Sequence, residues 1–494
     1  MVESSADSQS ARGLAQSKSW RTFRAPRYFA ERRGLGLSSG AFFLAVRTSQ
    51  GWLPLYPVRS LRASSLNGGI FLEFRLLAER LPTVPMSQLE FSLEAPPKRE
   101  GIFEELTQFQ QFGRKTFVEN SVCPIFQNEF WTSRQRAAHS LHEISYRACF
   151  KPQLPRFFIE RFTRPGEVVY DPFMGRGTTL LEAALLERKV AGCDINPLSI
   201  ALIRPRLNPP QLPEVMARLN KLNWNAPGEP PSELLVFYHP ETLRQIWSLR
   251  SYLLERGDKC DRVDEWIRLV ALNRLTGHSR GFFSVYTMPP NQAVSIQSQR
   301  KINERRGQTP PSRDVAKIIL KKSSALLAHV QPAERARLET SAKTALFITS
   351  EACNTPSLAS ESVALVVTSP PFLDVVDYAT DNWLRCWFLN IDPQQIQITK
   401  SSKLEKWQQE MTNVFRELRR VLKIGGHIAF EVGEVRSGEI KLEETVLKCG
   451  QEAGLKPEFI LINSQVFTKT ANCWGVENNS KGTNSNRVVV FRKE

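Results

Sequence analysis

Several things are scarce in this sequence, and each shortage removes a class of function. Its eight cysteines are scattered, and no two form a CxxC pair. A zinc site, a redox pair or a disulfide framework therefore has no support. No run of eighteen apolar residues occurs, and no charged-then-apolar leader opens the chain. That argues against a helical membrane span or a secretory signal and points to a cytoplasmic protein with no membrane partner. Acidic residues are also in deficit, 50 against 66 Lys+Arg, for a formal charge of +16. A surplus of that size suits a polyanionic partner, with DNA or RNA the commonest. A merely basic protein stays open on charge alone.

What is present is enough for a large folded body. The chain has 494 residues, of which 41% are hydrophobic, room for two or three domains with real cores. The first 85 residues differ from the rest: twelve Lys+Arg, eleven of them Arg, stand against five acids, with twelve serines and no sustained period. One reading is a disordered basic arm for a nucleic-acid backbone. The other, favoured here, is upstream sequence ahead of a start at Met86. From about residue 120, β-branched runs at Glu167–Tyr170, Lys189–Cys193, Val363–Val367, His427–Val432, Phe459–Ile462 and Arg487–Phe491 predict buried strands. Helical text such as Thr178–Leu186 and Trp407–Leu422 lies between them. Alternation of this kind predicts an α/β fold with a doubly wound, largely parallel sheet. The expected division is 1–85, a low-order basic segment; 86–206, an N-terminal part with the ligand-binding half of the sheet; 207–345, a mainly helical insertion; and 346–494, the second half of the sheet.

Two motifs carry the chemistry. Asp171-Pro172-Phe173-Met174-Gly175-Arg176-Gly177-Thr178-Thr179 follows a predicted strand and opens a helix. Glycines there let the backbone approach a ligand closely. At the end of the next strand stands Cys193-Asp194-Ile195-Asn196-Pro197, and a carboxylate so placed can accept hydrogen bonds from both ribose hydroxyls of an adenosine. The full dinucleotide GxGxxG is absent and no Walker lysine follows the glycines, so nicotinamide and ATP are poorer ligands. The second motif, Thr368-Ser369-Pro370-Pro371-Phe372, follows the apolar run SVALVV and lies 173 positions beyond Asn196. Paired prolines stiffen the backbone and withhold two N–H donors, leaving carbonyls to accept. An exocyclic base amine needs acceptors. The Ser369 hydroxyl and the Pro370 carbonyl could hold its hydrogens, while Phe372 offers a face on which an extruded base stacks.

On these residues the chain resembles the DNA amino-methyltransferase family, whose members methylate cytosine at N(4) or adenine at N(6). The family pairs a (D/N/S)-P-P-(Y/F) motif with an FxGxG cofactor motif on a Rossmann-like sheet. Cys149-Phe150-Lys151-Pro152-Gln153-Leu154-Pro155-Arg156-Phe157-Phe158 with Thr163-Arg164-Pro165-Gly166 resembles the helix and turn before the family's cofactor strand. Leu418-Arg419-Arg420-Val421-Leu422-Lys423-Ile424-Gly425-Gly426 resembles the turn before its fifth strand. The resemblance covers about residues 130–206 and 345–494 and implies a Rossmann-like methyltransferase sheet, with 86–206 carrying its cofactor-binding half, 346–494 its catalytic half and the inserted 207–345 a target-recognition region. It also implies S-adenosyl-L-methionine as cofactor, no metal and double-stranded DNA as partner. Ser369, Pro370, Pro371 and Phe372 are then the catalytic set. Lys151, Pro152, Asp171, Pro172, Phe173, Gly175, Gly177, Thr178, Thr179, Asp194, Asn196 and Glu351 are the cofactor set. Serine at the first motif position goes more often with cytosine N(4) than with adenine N(6). The family's third strand often ends in an acid of a GDA-like string; here Thr349-Ser350-Glu351-Ala352-Cys353 stands instead, leaving Glu351 as the substitute.

The mechanism this implies is base extrusion followed by direct methyl transfer, with no covalent enzyme intermediate. Carbon-5 methylation of cytosine would need a nucleophilic cysteine, usually in a Pro-Cys pair, and only the reverse, Cys123-Pro124, occurs. Asp374, Asp377 and Tyr378 could order the catalytic loop or be ordinary loop residues. The string from Thr468 to Asn479 could read base edges, although turn formation is its default. His139 and His142 are expected to be structural. In the insertion, Arg300, Lys301, Arg305, Arg306, Arg313, Lys317, Lys321 and Lys322 could neutralise phosphates or simply be a solvated face. An RNA guanosine-N(2) methyltransferase and a catalytically silent DNA-binding scaffold are the competing readings. A restriction endonuclease partner, as in a restriction-modification pair, is left open.

Overall fold

The computed structural model describes residues 101–494 except 132–137, 147–148, 289–292, 372–380, 394–395, 397–402, 434–440 and 465–484, and, within 1–100, the backbone of seven short strands. The chain divides into two compact units, Met1–Glu105 and Leu106–Glu494. In the first, Trp20–Pro26 and Leu61–Leu66 each pair antiparallel with Gly69–Leu77. Phe43–Thr48 pairs antiparallel with Gly51–Trp52, Tyr56–Pro57 and Glu90–Glu94. Residues 1–85, read above as low in order, thus include paired strands. In the pair Leu61–Leu66 with Gly69–Leu77, Leu66 stands opposite Gly69.

The second unit is built on nine strands: β1 (Phe117–Asn120), β2 (Pro124–Asn128), β3 (Val168–Asp171), β4 (Lys189–Asp194), β5 (Leu346–Thr349), β6 (Val363–Thr368), β7 (Leu422–Val432), β8 (Lys456–Ser464) and β9 (Ser485–Arg492). Their spatial order is β5-β4-β3-β6-β7-β9-β8-β2-β1. From β5 to β7 all neighbours are parallel, whereas β9 enters antiparallel between β7 and β8. β6, Val-Ala-Leu-Val-Val-Thr, is buried at every position, as a central strand covered on both faces must be.

The covers are helical. On one face lie α11 (Leu404–Val421) and α12 (Leu442–Glu452), with α11 burying Trp407, Met411, Val414, Phe415, Leu418 and Val421 at helical spacing. Phe415 sits 4.7 Å from the ring of Phe430 and 5.2 Å from that of Phe491. The opposite face carries α1 (Gln153–Phe162) and α2 (Thr178–Leu185), and Phe162 of α1 packs 4.4 Å from His427 of β7. The sheet is therefore doubly wound, as the alternation of strand and helix predicts.

Between β4 and β5 come α3 (Leu198–Leu207), α4 (Leu212–Lys221), α5 (Pro240–Arg256), α6 (Arg262–Arg274), α7 (Ile296–Arg306), α8 (Val315–Leu327) and α9 (Pro332–Thr344). The stretch is mainly helical and packs within the same unit as the sheet. α6, opened by an Asp261/Asp264 capping box, lies on α3, and α9 packs on α2, α3 and β4. α10 (Trp383–Leu389) follows β6. Among the described residues no helix is long and apolar enough to cross a membrane.

Candidate active site

The carboxyl ends of β3, β4, β5 and β6 open on one cleft of about 390 Å³. In an open parallel sheet this is where ligands bind. Ten of the sequence-derived site residues line it: Asp171, Pro172, Phe173, Gly175, Thr178, Asp194, Asn196, Glu351, Ser369 and Pro371. The remaining described ones stand off its wall, each for a visible reason. Gly177 adopts a left-handed φ of +75° at the N-cap of α2, where a Cβ would lie 2.7 Å from Ile203. Its task is close packing against α3. The Thr179 hydroxyl is fully buried and donates to the Val367 carbonyl at 3.1 Å. Pro152 forms the N-cap of α1 with Lys151 beside it, half-buried and with its ammonium pKa depressed, first by desolvation. Pro370 is buried behind the wall, and Phe372, with Asp374, Asp377, Tyr378 and the string 468–479, lies outside the described residues.

The cofactor turn is held by its own carboxylates. Asp171 Oδ1 accepts from the Phe173 amide at 3.1 Å and from the Thr368 hydroxyl at 2.6 Å. The second bond fastens the cofactor motif to the residue just before Ser369, 197 positions later in the chain. Asp194 Oδ2 accepts from the Gly175 amide at 2.8 Å and Oδ1 from the Asn196 amide at 2.9 Å. Asp171 is buried and Asp194 half-buried, and among the described residues neither has a Lys or Arg partner. Burial pushes Asp171 up to about 7 and raises Asp194 as well. Two uncompensated, desolvated carboxylates in an aromatic-walled cleft fit a cationic adenosyl ligand, whose charge would offset their desolvation.

Two side chains outside the motifs, Glu431 and Trp407, and one within the first that was given no role, Arg176, complete the site. Glu431, on β7, is buried and its pKa raised, chiefly by desolvation; the Ser369 hydroxyl lies within hydrogen-bonding reach, and Asn486 Nδ2 donates to its Oε1 at 3.0 Å. Trp407 of α11 lines the cleft, and its indole Nε1 donates to the Pro371 carbonyl at 3.1 Å. Arg176 donates to the carbonyls of Ile144 at 2.7 Å and His142 at 3.3 Å, drawing segment 139–146 over the cleft so that Tyr146 forms part of its wall. His142 itself is buried against Glu182 at 2.7 Å, its pKa lowered to about 4, first by desolvation. It is a neutral structural histidine. Among the described residues no cluster of three His, Cys, Asp or Glu could hold a metal ion.

Comparison with known proteins points the same way. The DNA methylase family profile matches residues 111–204 and 363–494, which carry both motifs and leave most of α4–α9 outside. The chain is 29% identical over 140 residues to the Type II methyltransferase M.MvaI of Kocuria varians, spanning 28% of this chain and 27% of that protein. To the Type II methyltransferase M.BsoBI of Geobacillus stearothermophilus it is 22% identical over 302 residues, spanning 54% and 56%. A third relative, the tRNA (guanine(10)-N2)-dimethyltransferase of Methanocaldococcus jannaschii, is 32% identical over 82 residues, spanning 16% and 22%. The chain thus spans about half the length, or less, of these curated relatives. The matched segments, the two motifs and the sheet that joins them agree: residues 111–204 and 363–494 are similar to the DNA methylase family.

Proposed function

We propose that the protein methylates the N(4) amine of cytosine at specific sites in double-stranded DNA. The observation that supports this reading most directly is Ser369 on the wall of the cleft that suits the cofactor, with buried Glu431 within hydrogen-bonding reach of its hydroxyl. S-adenosylmethionine, when bound, supplies an electrophilic methyl group. The chain's own residues hold the target. Proline withholds its own N–H donors here, and the Pro370 carbonyl is the acceptor assigned to one hydrogen of an exocyclic amine. A serine hydroxyl has one hydrogen and two lone pairs. With its hydrogen directed to Glu431, the Ser369 oxygen turns its lone pairs outward as an acceptor for the other amine hydrogen. Both bonds draw the amine out of conjugation with the ring and leave its lone pair on nitrogen. Asp171, Asp194, Phe173 and Gly175 hold the cofactor side of the cleft, with Glu351 at its rim.

Incubating the protein with labelled S-adenosylmethionine and unmethylated genomic DNA, then resolving the nucleosides by mass, tests this. The expected product is N(4)-methylcytosine, reduced about a hundredfold or more in Ser369→Ala. N(6)-methyladenine would keep the site and change the base. The stretch shared with the tRNA guanine dimethyltransferase gives a second reading, and label entering RNA but no DNA nucleoside would move the protein there. Failure to bind S-adenosylmethionine at all would favour a silent scaffold.

A further inference from the structure

α7, Ile296–Arg306, is a helix with almost no apolar side. Gln299 is its one fully buried residue, and amides rather than hydrocarbon hold it down. Gln299 Oε1 accepts from the Thr287 hydroxyl at 3.0 Å, while its Nε2 donates to the carbonyl of Tyr286 at 3.0 Å and to Asn303 Oδ1 at 2.8 Å. Asn303 Nδ2 donates in turn to the Val236 carbonyl at 2.8 Å. The Arg306 guanidinium lies 3.9 Å over the Tyr286 ring. A helix polar all round is not stable by itself, so a set of bonds this specific holds it for what its outer face presents.

That face presents Arg300, Lys301 and Arg305, all exposed. Among the described residues none of the three makes an ion pair. Other cations of the same stretch do: Arg218 with Asp261, Arg262 with Glu214, Lys322 with Glu143. Lys301 and Arg305 stand four apart on one helix, where like charges repel. Glu304 is the helix's one acid. The position of α7 is equally specific. Just before its N-cap, the Ala293 amide donates to the Asp381 carbonyl at 3.0 Å, and Trp383 Nε1 donates to the Val294 carbonyl at 3.2 Å. Asp381 and Trp383 are where the chain emerges from the Ser369-Pro370-Pro371 segment. The start of the basic helix is therefore bonded to the exit of the segment proposed to hold the base.

We infer that the outer face of α7 is the surface that receives the phosphate backbone of the DNA duplex beside the reacting base, with Arg300, Lys301 and Arg305 as the phosphate contacts. This rests on the DNA-methylation reading above. Uncompensated cations, no exposed apolar side chain on that face and attachment to the base-holding segment match a polyanion rather than a protein partner. Contacts of this kind position the duplex without reading its sequence.

The test is a salt titration of binding by the full chain to a fluorescent 24-base-pair duplex, with S-adenosylmethionine binding measured in parallel. The variants are R300Q/K301Q/R305Q and a charge-matched control, R416Q/K448Q/K456Q, at exposed positions on α11, α12 and β8. For each lost phosphate contact, the slope of log affinity against log salt falls by about 0.9. The triple α7 variant is expected to show a slope shallower by two to three and at least tenfold weaker duplex binding near 0.1 M salt. Its cofactor affinity and thermal midpoint are expected to match wild type, and the control to bind duplex as wild type does. Unchanged slope and affinity in the α7 variant, with wild type methylating DNA normally, would overturn the inference. Equal weakening in the control would overturn it too, since the effect would then be one of net charge. A wild-type preference for duplex RNA, lost in the α7 variant, would overturn the DNA assignment. Wild type that binds and methylates no DNA would instead overturn the function on which the inference rests.

Discussion

The indole nitrogen of Trp407 donates to the carbonyl of Pro371 at 3.1 Å, so one side chain both walls the cleft and fixes the backbone of the Ser369-Pro370-Pro371 segment. Replacing it with phenylalanine keeps much of the wall but removes the donor. A buried carbonyl left unpaired costs about 1–3 kcal/mol. Trp407→Phe is expected to slow single-turnover methyl transfer about tenfold, while cofactor affinity measured by calorimetry stays within about threefold. Loss of cofactor affinity with an unchanged transfer rate would contradict this coupling.

Glu431 leads to a prediction about pH. Burial raises its pKa, so the carboxylate forms only at a pH above the usual carboxylate range. Because the proposed arrangement needs that carboxylate to take the Ser369 hydrogen, the transfer rate should rise with pH as Glu431 ionises. Glu431→Gln should lower the plateau and erase this acid limb; a limb retained in the variant would assign it to another group.

Asp171 gives a separate pH dependence, in binding and in stability. Its pKa is raised from 3.8 to about 7 in the folded chain. Its contribution to stability is therefore fully present below 3.8 and lost as pH rises through about 7. Chemical denaturation midpoints should fall more between pH 5.5 and 8 in wild type than in Asp171→Asn. A cationic ligand favours the ionised form, so S-adenosylmethionine should bind more tightly at pH 8 than at pH 6 and release protons on binding. Equal affinities at the two pH values would count against Asp171 as a cofactor residue.

The two glycines of the cofactor turn should fail differently. Both adopt a left-handed φ, which costs alanine about 1–2 kcal/mol at either position, but only at Gly177 would a Cβ also strike Ile203. At Gly175 the nearest atom beyond the turn, a Tyr146 ring carbon, is 3.6 Å from the Cβ position. Gly177→Ala is thus expected to lower the melting temperature markedly, and Gly175→Ala to weaken cofactor binding with a smaller thermal loss. The reverse ranking would mean that Gly177, and not Gly175, faces the ligand.

The strands of the central sheet were legible because burial on both faces writes itself as unbroken β-branched text. Val363–Val367 needed only Thr368 added, and Lys189–Cys193 only Asp194. β1 and β2 carried no such signal: β1 is an exposed edge strand, and its pattern resembles a loop. Rare local text marked Asp171, Phe173, Gly175, Asp194 and Ser369, which the sheet brings to one cleft. Trp407 and Glu431 were not marked, since each reads as an ordinary member of a helix or strand. Only the sheet brings Glu431 beside Ser369 and the helix crossing brings Trp407 onto Pro371. Lys151, Pro152, Gly177 and Thr179, expected from the motifs beside the ligand, stand off the cleft wall.

The crossover from β4 to β5 has an energetic consequence. Asp194 and Leu346 belong to adjacent strands, yet seven helices separate them. Stretching a connection from about 20 to about 150 residues costs only about 2 kcal/mol in closure entropy. The catalytic strands β3 and β6 lie on the far side of β4 from that junction. The junction therefore admits a long helical connection at little entropic cost, while the strands that carry the Asp171 and Ser369 motifs keep their pairing.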